Sequence, residues 1–257
     1  MAEPERQPAV LVRRDGAVMI ATLNRPEKSN TLDPDTIKEL SDLVARAEAS
    51  SDIAVLILTG AGRSFCAGLD LNLLVRWTPE EKTAYLASAI GLFQRIWKMP
   101  QPVIAAINGA AIAGGFDLAA FCDIRLAART AKLGQAEINV GLTQIIHPLY
   151  KTVGLAQAKE LAMTGDAISA EEAFRIGLIN HVYEPEILME KAIQLGQALA
   201  AKPRAALFET KRLTRELIDL DTDTALQQIL ASLKERLASD EHKAAASAVL
   251  VRVKRSK

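Results

Sequence analysis

Cysteine and excess charge are both scarce in this sequence. Its 257 residues include only two cysteines, Cys66 and Cys122, which form no CxxC pair and have no companion cluster of histidines. This scarcity disfavours a disulfide scaffold and a zinc site, and it is typical of proteins in a reducing compartment. Because 31 Lys and Arg residues balance 31 Asp and Glu residues, the charge indicates no surface for nucleic acid or for an anionic membrane.

A targeting signal and a membrane span are also lacking. The N-terminal residues MAEPERQPAV contain early acids and prolines and no apolar stretch, unlike a secretory signal. Residues 102–121 have nearly the length of a membrane span, but Asn108, Asp117 and several Gly and Pro residues interrupt them. We therefore expect a cytoplasmic protein in which this segment is buried.

Three common functional motifs are incomplete or absent. The segment GAGRSF at 60–65 begins like the dinucleotide motif GxGxxG, but Phe65 replaces the third glycine. The segment GAAIAGGF at 109–116 has the glycines of a phosphate-binding loop, but Phe116 stands where the lysine belongs. No GxSxG is present and the three histidines are scattered, which disfavours serine hydrolase chemistry.

What the sequence does contain is an alternation of strand and helix patterns. The Asp15-Gly16 pair between two apolar segments predicts a β-hairpin, and Asp33-Pro34 predicts the start of a helix. Short apolar runs such as residues 53–59 predict strands that are buried on both faces. This alternation predicts an α/β core.

The C-terminal part of the sequence has a different pattern. Strand patterns end near residue 186, and three helical patterns follow, at residues 186–201, 203–218 and 222–238. The last of them carries leucines such as Leu226 and Leu230 on one face. Such an extension covers either its own core or another subunit, and the sequence leaves both options open.

Two glycine-containing turns follow buried strands. They are SFCAGLDL at 64–71 and AIAGGFDL at 111–118, and both pass through small residues towards a helix. Small residues let a ligand approach the backbone, and N–H groups at a helix start are unsatisfied and partly positive. Either turn alone is better explained as a tight turn with a helix cap. Facing each other, the two turns would aim two N–H donors at one oxygen and form an oxyanion hole.

Two acidic residues have both a structural and a catalytic interpretation. Asp117 in a first helical turn is favoured by the helix dipole, and Glu137 is compatible with the rim of a loop. Acid–base catalysis instead needs two carboxyl groups that converge near the reacting atoms, with burial tuning their protonation. The two residues by themselves leave these interpretations open.

Several segments taken together resemble the crotonase (enoyl-CoA hydratase/isomerase) superfamily. They are NRPEKSNTLD, SFCAGLDL, PVIAAINGAAIAGGFDLAAFCDIRLAA, AKLGQAEINVGL and GDAISAEEAFRIGLINHV, which follow the family's order and spacing over nearly the whole chain. The resemblance implies an α/β fold with a crotonase-like spiral core of β-β-α turns in residues 1–195. It also implies a C-terminal helical region in residues 196–257 that forms homotrimers, or hexamers as dimers of trimers.

The resemblance further implies ligands and site residues. The ligand is an acyl-CoA thioester, and no metal and no cofactor beyond the substrate's own CoA are expected. The N–H groups of Leu69 and Gly114 correspond to the family's oxyanion hole, and Asp117 and Glu137 to the two carboxylates beside the substrate's double bond. The implied CoA-binding residues are Arg25, Lys28, Ala67, Leu69, Asp70, Leu71 and Gly114.

The sequence departs from the family pattern at two places. Asp117 replaces the glutamate of the family's hydratases, and its carboxyl group is one methylene shorter; an Asp at this position is similar to the dienoyl-CoA isomerase branch. The segment at 143–150 is shorter than its counterpart and lacks its glycines. We therefore expect a different wall of the acyl pocket, where His147 and Tyr150 either enter the pocket or have a structural role.

The implied function is that of an enoyl-CoA hydratase, which adds water syn to a 2-enoyl-CoA through an enolate held in the oxyanion hole. One alternative is an enoyl- or dienoyl-CoA double-bond isomerase. Another is a catalytically weak, acyl-CoA-binding protein of the same fold. Thioester hydrolysis and decarboxylation use the same type of oxyanion hole and also stay open.

Overall fold

The structure, a computed structural model, describes residues 7–255, and strands and helices alternate through most of them. The strands are β1 (Val10–Asp15), β2 (Val18–Leu23), β3 (Val55–Gly60), β4 (Ser64–Cys66), β5 (Val103–Ile107), β6 (Ala110–Ile112), β7 (Ile124–Ala128), β8 (Lys132–Gly134), β9 (Ile168–Ser169) and β10 (His181–Tyr183). The helices are α1 (Pro34–Ala49), α2 (Leu71–Arg76), α3 (Pro79–Lys98), α4 (Gly114–Ala120), α5 (Leu149–Val153), α6 (Leu155–Thr164), α7 (Ala170–Arg175), α8 (Pro185–Ala200), α9 (Arg204–Glu216), α10 (Thr222–Leu237) and α11 (Asp240–Arg255). Two short 3₁₀ turns lie at Pro26–Lys28 and Glu137–Val140.

The strands form two sheets. The first has the order β1-β2-β3-β5-β7-β10, and the second has the order β4-β6-β8-β9. The chain passes from the first sheet to the second three times, at β3-β4, β5-β6 and β7-β8, and each passage leads on to helical structure. This repetition is the predicted succession of β-β-α turns, and it brings the ends of β4, β6 and β8 to one edge because these three strands are parallel.

Local sequence signals explain the first elements. The predicted hairpin forms with β1 antiparallel to β2 around Gly16, which has a positive φ of 58°. The predicted helix start also forms, since the Asp33 carboxylate accepts a hydrogen bond from the Thr36 N–H at 2.8 Å and caps α1. Strands β3 and β5 are buried along their whole length, as their apolar runs predict.

Two apolar cores lie on the two faces of the first sheet. Helices α1 and α3 belong to the larger core on one face, and α8 belongs to the smaller core on the other. Gly196 in the last turns of α8 packs against Val18 and Ile57 of the sheet. Residues 195 and 196, between which the sequence places a domain boundary, both lie within α8.

The C-terminal helices are partly anchored to the core. The three helical patterns of the sequence correspond to α8, α9 and α10, and α11 is an additional helix. Lys211 of α9 forms a buried ion pair with Asp123 at 2.7 Å. By contrast, α10 presents leucines to solvent, among them Leu230, which is 52% exposed. None of the helices described between residues 7 and 255 has the length and apolar character needed to cross a membrane.

Candidate active site

The two glycine-containing turns meet at the edge of the second sheet. Strands β4 and β6 pair in parallel, so the turns that follow them lie side by side. A β-carbon placed on Gly114 would lie 3.7 Å from the backbone nitrogen of Leu69. A β-carbon on Gly115 would lie only 2.0 Å from the Cys66 carbonyl oxygen, so glycine is what lets α4 approach β4 this closely.

The N–H group of Leu69 points away from the neighbouring backbone. The Leu32 N–H donates to the Gly68 carbonyl at 2.8 Å and fixes the direction of that carbonyl. Because a trans peptide is planar, the Leu69 N–H of the same peptide points the opposite way. No group of residues 7–255 accepts a hydrogen bond from it.

The direction of the Gly114 N–H group is set in a similar way. The Asp117 N–H donates to the Ala113 carbonyl at 3.0 Å, in the first turn of α4, so the Gly114 N–H of the same peptide points out of the helix. No acceptor for it is present in the described part of the chain. Ala113 has φ 52° and ψ −129°, a conformation that costs a non-glycine residue roughly 1–3 kcal/mol.

A cavity of about 200 Å³ opens beside these two N–H groups. Its apolar wall comes mainly from α3, and its polar groups come from α4 and the 3₁₀ turn that follows β8. The lining residues are Leu69, Leu86, Ala89, Ile90, Phe93, Gly114, Asp117, Glu137, Leu142, Thr143, Gln144 and Ile145. Mostly apolar walls with a few convergent polar groups are typical of small-molecule sites.

Asp117 and Glu137 are the two acids in this cavity. Asp117 is almost completely buried, and its Oδ1 accepts a hydrogen bond from Gln135 Nε2 at 3.0 Å. Its Oδ2 and the Oε2 of Glu137 are buried without a hydrogen-bond partner among the described residues. Glu137 therefore lines the same cavity as Asp117 and is not a fully solvated residue at a loop rim.

Burial affects the protonation of both acids. Burial raises the pKa of Asp117 well above its usual range, and the nearby carboxylate of Glu137 raises it further. Burial also raises the pKa of Glu137, but its own backbone N–H and the side chain of Asp117 act in the opposite direction. Because the two carboxyl groups interact, a proton that they share belongs to the pair as a whole.

Four of the residues expected to bind CoA, Ala67, Leu69, Asp70 and Leu71, follow β4 directly in the chain. The Ala67 N–H donates to the Ser29 carbonyl, and the Asp70 carboxylate accepts from the Asn72 N–H and caps α2. Leu71 is half exposed. Gly114 and Leu69 line the cavity itself.

The two expected phosphate neighbours are placed differently from each other. Lys28 is exposed at the end of its 3₁₀ turn. The Arg25 guanidinium donates from Nη1 to the carbonyls of Gln7, Pro8 and Asn24, which ties it to the N-terminal segment.

His147 and Tyr150 do not line the cavity. The His147 ring lies edge-on to Trp97 and to Tyr150, with ring centroids 6.2 Å and 5.7 Å away. The cavity is instead lined by the preceding residues, including Thr143 and Gln144. The altered segment thus shapes the pocket wall, as expected, while the interpretation that His147 or Tyr150 enters the pocket is wrong.

Three residues around the site have no signal in the sequence that points to their role there. Gln135 is in the quoted AKLGQAEINVGL segment, but its contact with Asp117 is made across 18 residues. The positive φ of Ala113 has no sequence signal, because glycine is the residue that would indicate it. Tyr85, whose hydroxyl contacts the backbone of the first turn, looks in the sequence like an ordinary buried position of α3.

The chain is similar to known enoyl-CoA hydratases both in sequence and in structure. A family model described as "Enoyl-CoA hydratase/isomerase" matches residues 13–252. The short-chain-enoyl-CoA hydratase of Clostridium acetobutylicum is 34% identical over 245 residues, which cover 94% of this chain and 94% of that protein. The crotonyl-CoA hydratase of Syntrophomonas wolfei is 35% identical, with coverage of 84% and 85%. The crystal structure of an enoyl-CoA hydratase from Bacillus anthracis matches with a TM-score of 0.92 at 30% identity, covering 95% of this chain and 96% of that one.

Proposed function

The chain belongs to the enoyl-CoA hydratase/isomerase family, and we propose that it is an enzyme that adds water to the double bond of 2-enoyl-CoA thioesters. One observation carries the proposal: a single cavity brings together two N–H groups that have no acceptor within residues 7–255 and two carboxyl groups that each have a buried oxygen without a partner there. Similar proteins named as hydratases of short-chain enoyl-CoA and crotonyl-CoA support the same reaction.

The two N–H groups would bind the thioester oxygen. When the oxygen of water bonds to C3, negative charge moves through C2 onto the thioester oxygen and gives an enolate. The N–H groups of Leu69 and Gly114 would stabilise that charge, and a donor of this kind is worth about 3–4 kcal/mol in other enzymes. Their advantage is that the surrounding peptides already hold them in place, so little reorganisation is needed.

The acid pair would transfer the protons between water and the substrate. As the C3–O bond forms, the pair takes one proton from the water, and it returns one proton to C2, so its charge is unchanged over a turnover. Glu137 is the residue that exchanges the proton in this scheme, and Asp117, held by Gln135, orients the water. Both hydrogens of water reach the product, one on the new hydroxyl and one on C2.

The cavity favours short acyl chains. Its volume of about 200 Å³ is small, and Phe93 at its apolar wall stacks on Phe121 with a centroid distance of 5.7 Å. The CoA portion would lie along residues 67–72, with Lys28 and Arg25 towards the phosphates. The substrate's own CoA is then the only cofactor-like group that the scheme needs.

A self-association surface is part of the proposal. The exposed leucines of α10 and the exposed valines of α11 are apolar surface that nothing in the described chain covers. We assign this apolar surface to contacts between copies of the chain, in a homotrimer or in a hexamer built from two trimers.

Double-bond isomerisation is the second candidate. The shorter side chain of Asp117 favours it, because a carboxyl group displaced by about 1 Å can cost roughly 10²-fold in rate for the water step. In that case Glu137 would carry the proton from one carbon of the substrate to another, with Asp117 as its partner.

Product analysis with crotonyl-CoA and 3-hexenoyl-CoA tests these alternatives. A hydratase gives a product from crotonyl-CoA that is heavier by one water, whereas an isomerase moves the double bond of 3-hexenoyl-CoA without a change of mass. Glu137→Gln should lower turnover by about 10²–10⁴-fold, as expected for loss of an acid–base group. The matched control is Glu186→Gln on the exposed side of α8. Tight binding of both esters without turnover, or full activity in both Asp117→Ala and Glu137→Ala, would contradict the assignment.

A further inference from the structure

Tyr85 of α3 connects two backbone segments beside the cavity. Its hydroxyl accepts a hydrogen bond from the Asp70 N–H at 3.0 Å and donates one to the carbonyl of Leu32. Leu32 and Leu69 pair as an isolated parallel bridge. The tyrosine oxygen therefore stands between Asp70 and Leu32, where a parallel pair would ordinarily have a direct backbone hydrogen bond.

The turn that carries the Leu69 N–H is held at the peptides on both sides of Leu69. On one side, the Leu32 N–H donates to the Gly68 carbonyl at 2.8 Å. On the other side, the Asp70 N–H is held by Tyr85 at 3.0 Å. These two hydrogen bonds restrain the flanking peptides, and through them the backbone dihedral angles of Leu69 that set the direction of its N–H.

The Tyr85 side chain is held in place by burial and by ring packing. Tyr85 is 4% exposed, and its ring packs edge-to-face against Trp77 with the centroids 5.3 Å apart. Burial raises the pKa of the Tyr85 hydroxyl to about 12, so the group keeps its proton and donates to Leu32 while it accepts from Asp70. The following residue, Leu86, and Ala89 line the cavity, so one helix supplies both the wall and the anchor.

We propose that Tyr85 is a positioning residue of the oxyanion hole, whose hydroxyl aims the Leu69 N–H at the thioester oxygen. The proposal rests on the function proposed above, because it concerns the same N–H group. Tyr85 does not line the cavity and acts through the backbone. Its loss therefore acts on polarisation of the carbonyl more than on binding of the thioester.

Tyr85→Phe is the direct test, since it removes one oxygen and keeps the ring that packs on Trp77. We expect kcat with crotonyl-CoA to fall by about 10- to 100-fold, with a much smaller change in KM. The matched control is Tyr150→Phe, because Tyr150 is exposed and lies outside the cavity. Thermal unfolding of the three proteins checks that each is folded at the assay temperature.

A spectroscopic measurement separates positioning from a general structural effect. The absorption of 4-(dimethylamino)cinnamoyl-CoA moves to longer wavelength when hydrogen bonds polarise its thioester carbonyl. At saturating protein, wild type and Tyr150→Phe should give the same shift, and Tyr85→Phe should give a clearly smaller one. Equal shifts and equal kcat in all three proteins would overturn the proposal for Tyr85 and leave the proposed function intact. Absence of both turnover and shift in the wild type would instead overturn the proposed function.

A second variant keeps the test decisive if Tyr85→Phe does not fold. Replacement of Tyr85 by 4-aminophenylalanine keeps the ring and the donor to Leu32, but the aniline nitrogen is a weak acceptor for the Asp70 N–H. We expect a reduced wavelength shift from this folded variant. A shift equal to that of the wild type would contradict the role of the Asp70 contact.

Discussion

Gln135 Nε2 lies 3.0 Å from Asp117 Oδ1 and 2.8 Å from the Ile145 carbonyl oxygen. One side-chain amide thus connects the buried acid with the segment that forms the altered wall of the pocket. The bond to Asp117 is buried and the bond to Ile145 is partly buried, so water competes little with the first of them. The position of the short Asp117 side chain is therefore coupled to the course of the chain at Ile145.

Replacing Gln135 by methionine should disturb both the acid pair and the fold. The hydrogen bond from Gln135 lowers the pKa of Asp117, so its removal raises that pKa further. We expect the limb of the kcat/KM pH profile that reports the acid pair to move to higher pH in Gln135→Met. The Ile145 carbonyl also loses its buried donor, which should lower the free energy of unfolding by about 1–3 kcal/mol.

Urea unfolding and the pH profile measure these two effects separately. Gln157→Met is a control in helix α6, with no hydrogen bond from this side chain to the described residues. A pH profile of Gln135→Met that coincides with that of the wild type would contradict the coupling between Gln135 and Asp117.

The protonation of Asp117 should be visible in the stability of the protein. Burial and the charge of Glu137 raise the pKa of Asp117 in the folded state above its unfolded value of 3.8. The folded state then binds more protons than the unfolded state, so stability falls as pH rises from the unfolded pKa through the folded one. Asp117→Asn cannot ionise and should escape this loss, while its amide oxygen keeps the hydrogen bond from Gln135.

Chemical unfolding of wild type and Asp117→Asn between pH 4 and pH 9 measures the effect. The variant should gain stability relative to wild type as pH rises, and the gain should level off once Asp117 is ionised in the folded wild type. Its turnover should nevertheless be strongly reduced. A stability difference that is constant over the whole range, or that shrinks with rising pH, would show that Asp117 has no raised pKa in the folded protein.

Local signals predicted much of the fold. The hairpin around Gly16, the cap at Asp33 and the buried strand β3 follow from turn chemistry, capping and apolar runs, and all three are confirmed. The family resemblance and the spiral of β-β-α turns are confirmed by the family match and by the crystal structure of the Bacillus anthracis enzyme. Helix α11 was not predicted, because its apolar residues 249–251 are consecutive and mark no single helix face.

Only those parts of the candidate site that lie in sequence motifs were predictable. The two glycine turns and both acids lie in motifs, and the structure brings them to one cavity. The contacts that hold them are long-range: Tyr85 reaches Leu32 across 53 residues, and Gln135 reaches Asp117 across 18. No local spacing encodes such contacts, since they depend on how the elements pack in three dimensions.

The apolar face of α10 should be needed for self-association. Leu230 and Leu233 are both 52% exposed, one helical turn apart, with no covering partner in the described chain. Leu230→Asp places a charge in the proposed interface and should shift the mass in light scattering from an oligomer towards a monomer. The control Gln227→Asp adds the same charge at an exposed polar position of the same helix. A monomeric wild type, or an unchanged mass of Leu230→Asp, would contradict the proposed interface.

Replacement of Gly115 and of Gly91 by alanine should change the free energy of unfolding in opposite directions. In Gly115→Ala the new methyl group would lie 2.0 Å from the Cys66 carbonyl oxygen, so α4 must move away from β4. We expect the free energy of unfolding to fall by about 1–3 kcal/mol, as for other overpacked sites. The movement also carries the adjacent Gly114 N–H away from Leu69, and kcat should fall with it.

Gly91 provides the matched comparison because it lies inside α3 with open space where its β-carbon would be. Alanine there lowers the entropy of the unfolded chain and suits the helix, so Gly91→Ala should stabilise the protein by about 0.5–1 kcal/mol. Its kcat should stay at the wild-type value. Urea unfolding and crotonyl-CoA turnover of both variants check these outcomes. Equal changes in the free energy of unfolding of the two variants would show that the contact between α4 and β4 does not require glycine at position 115.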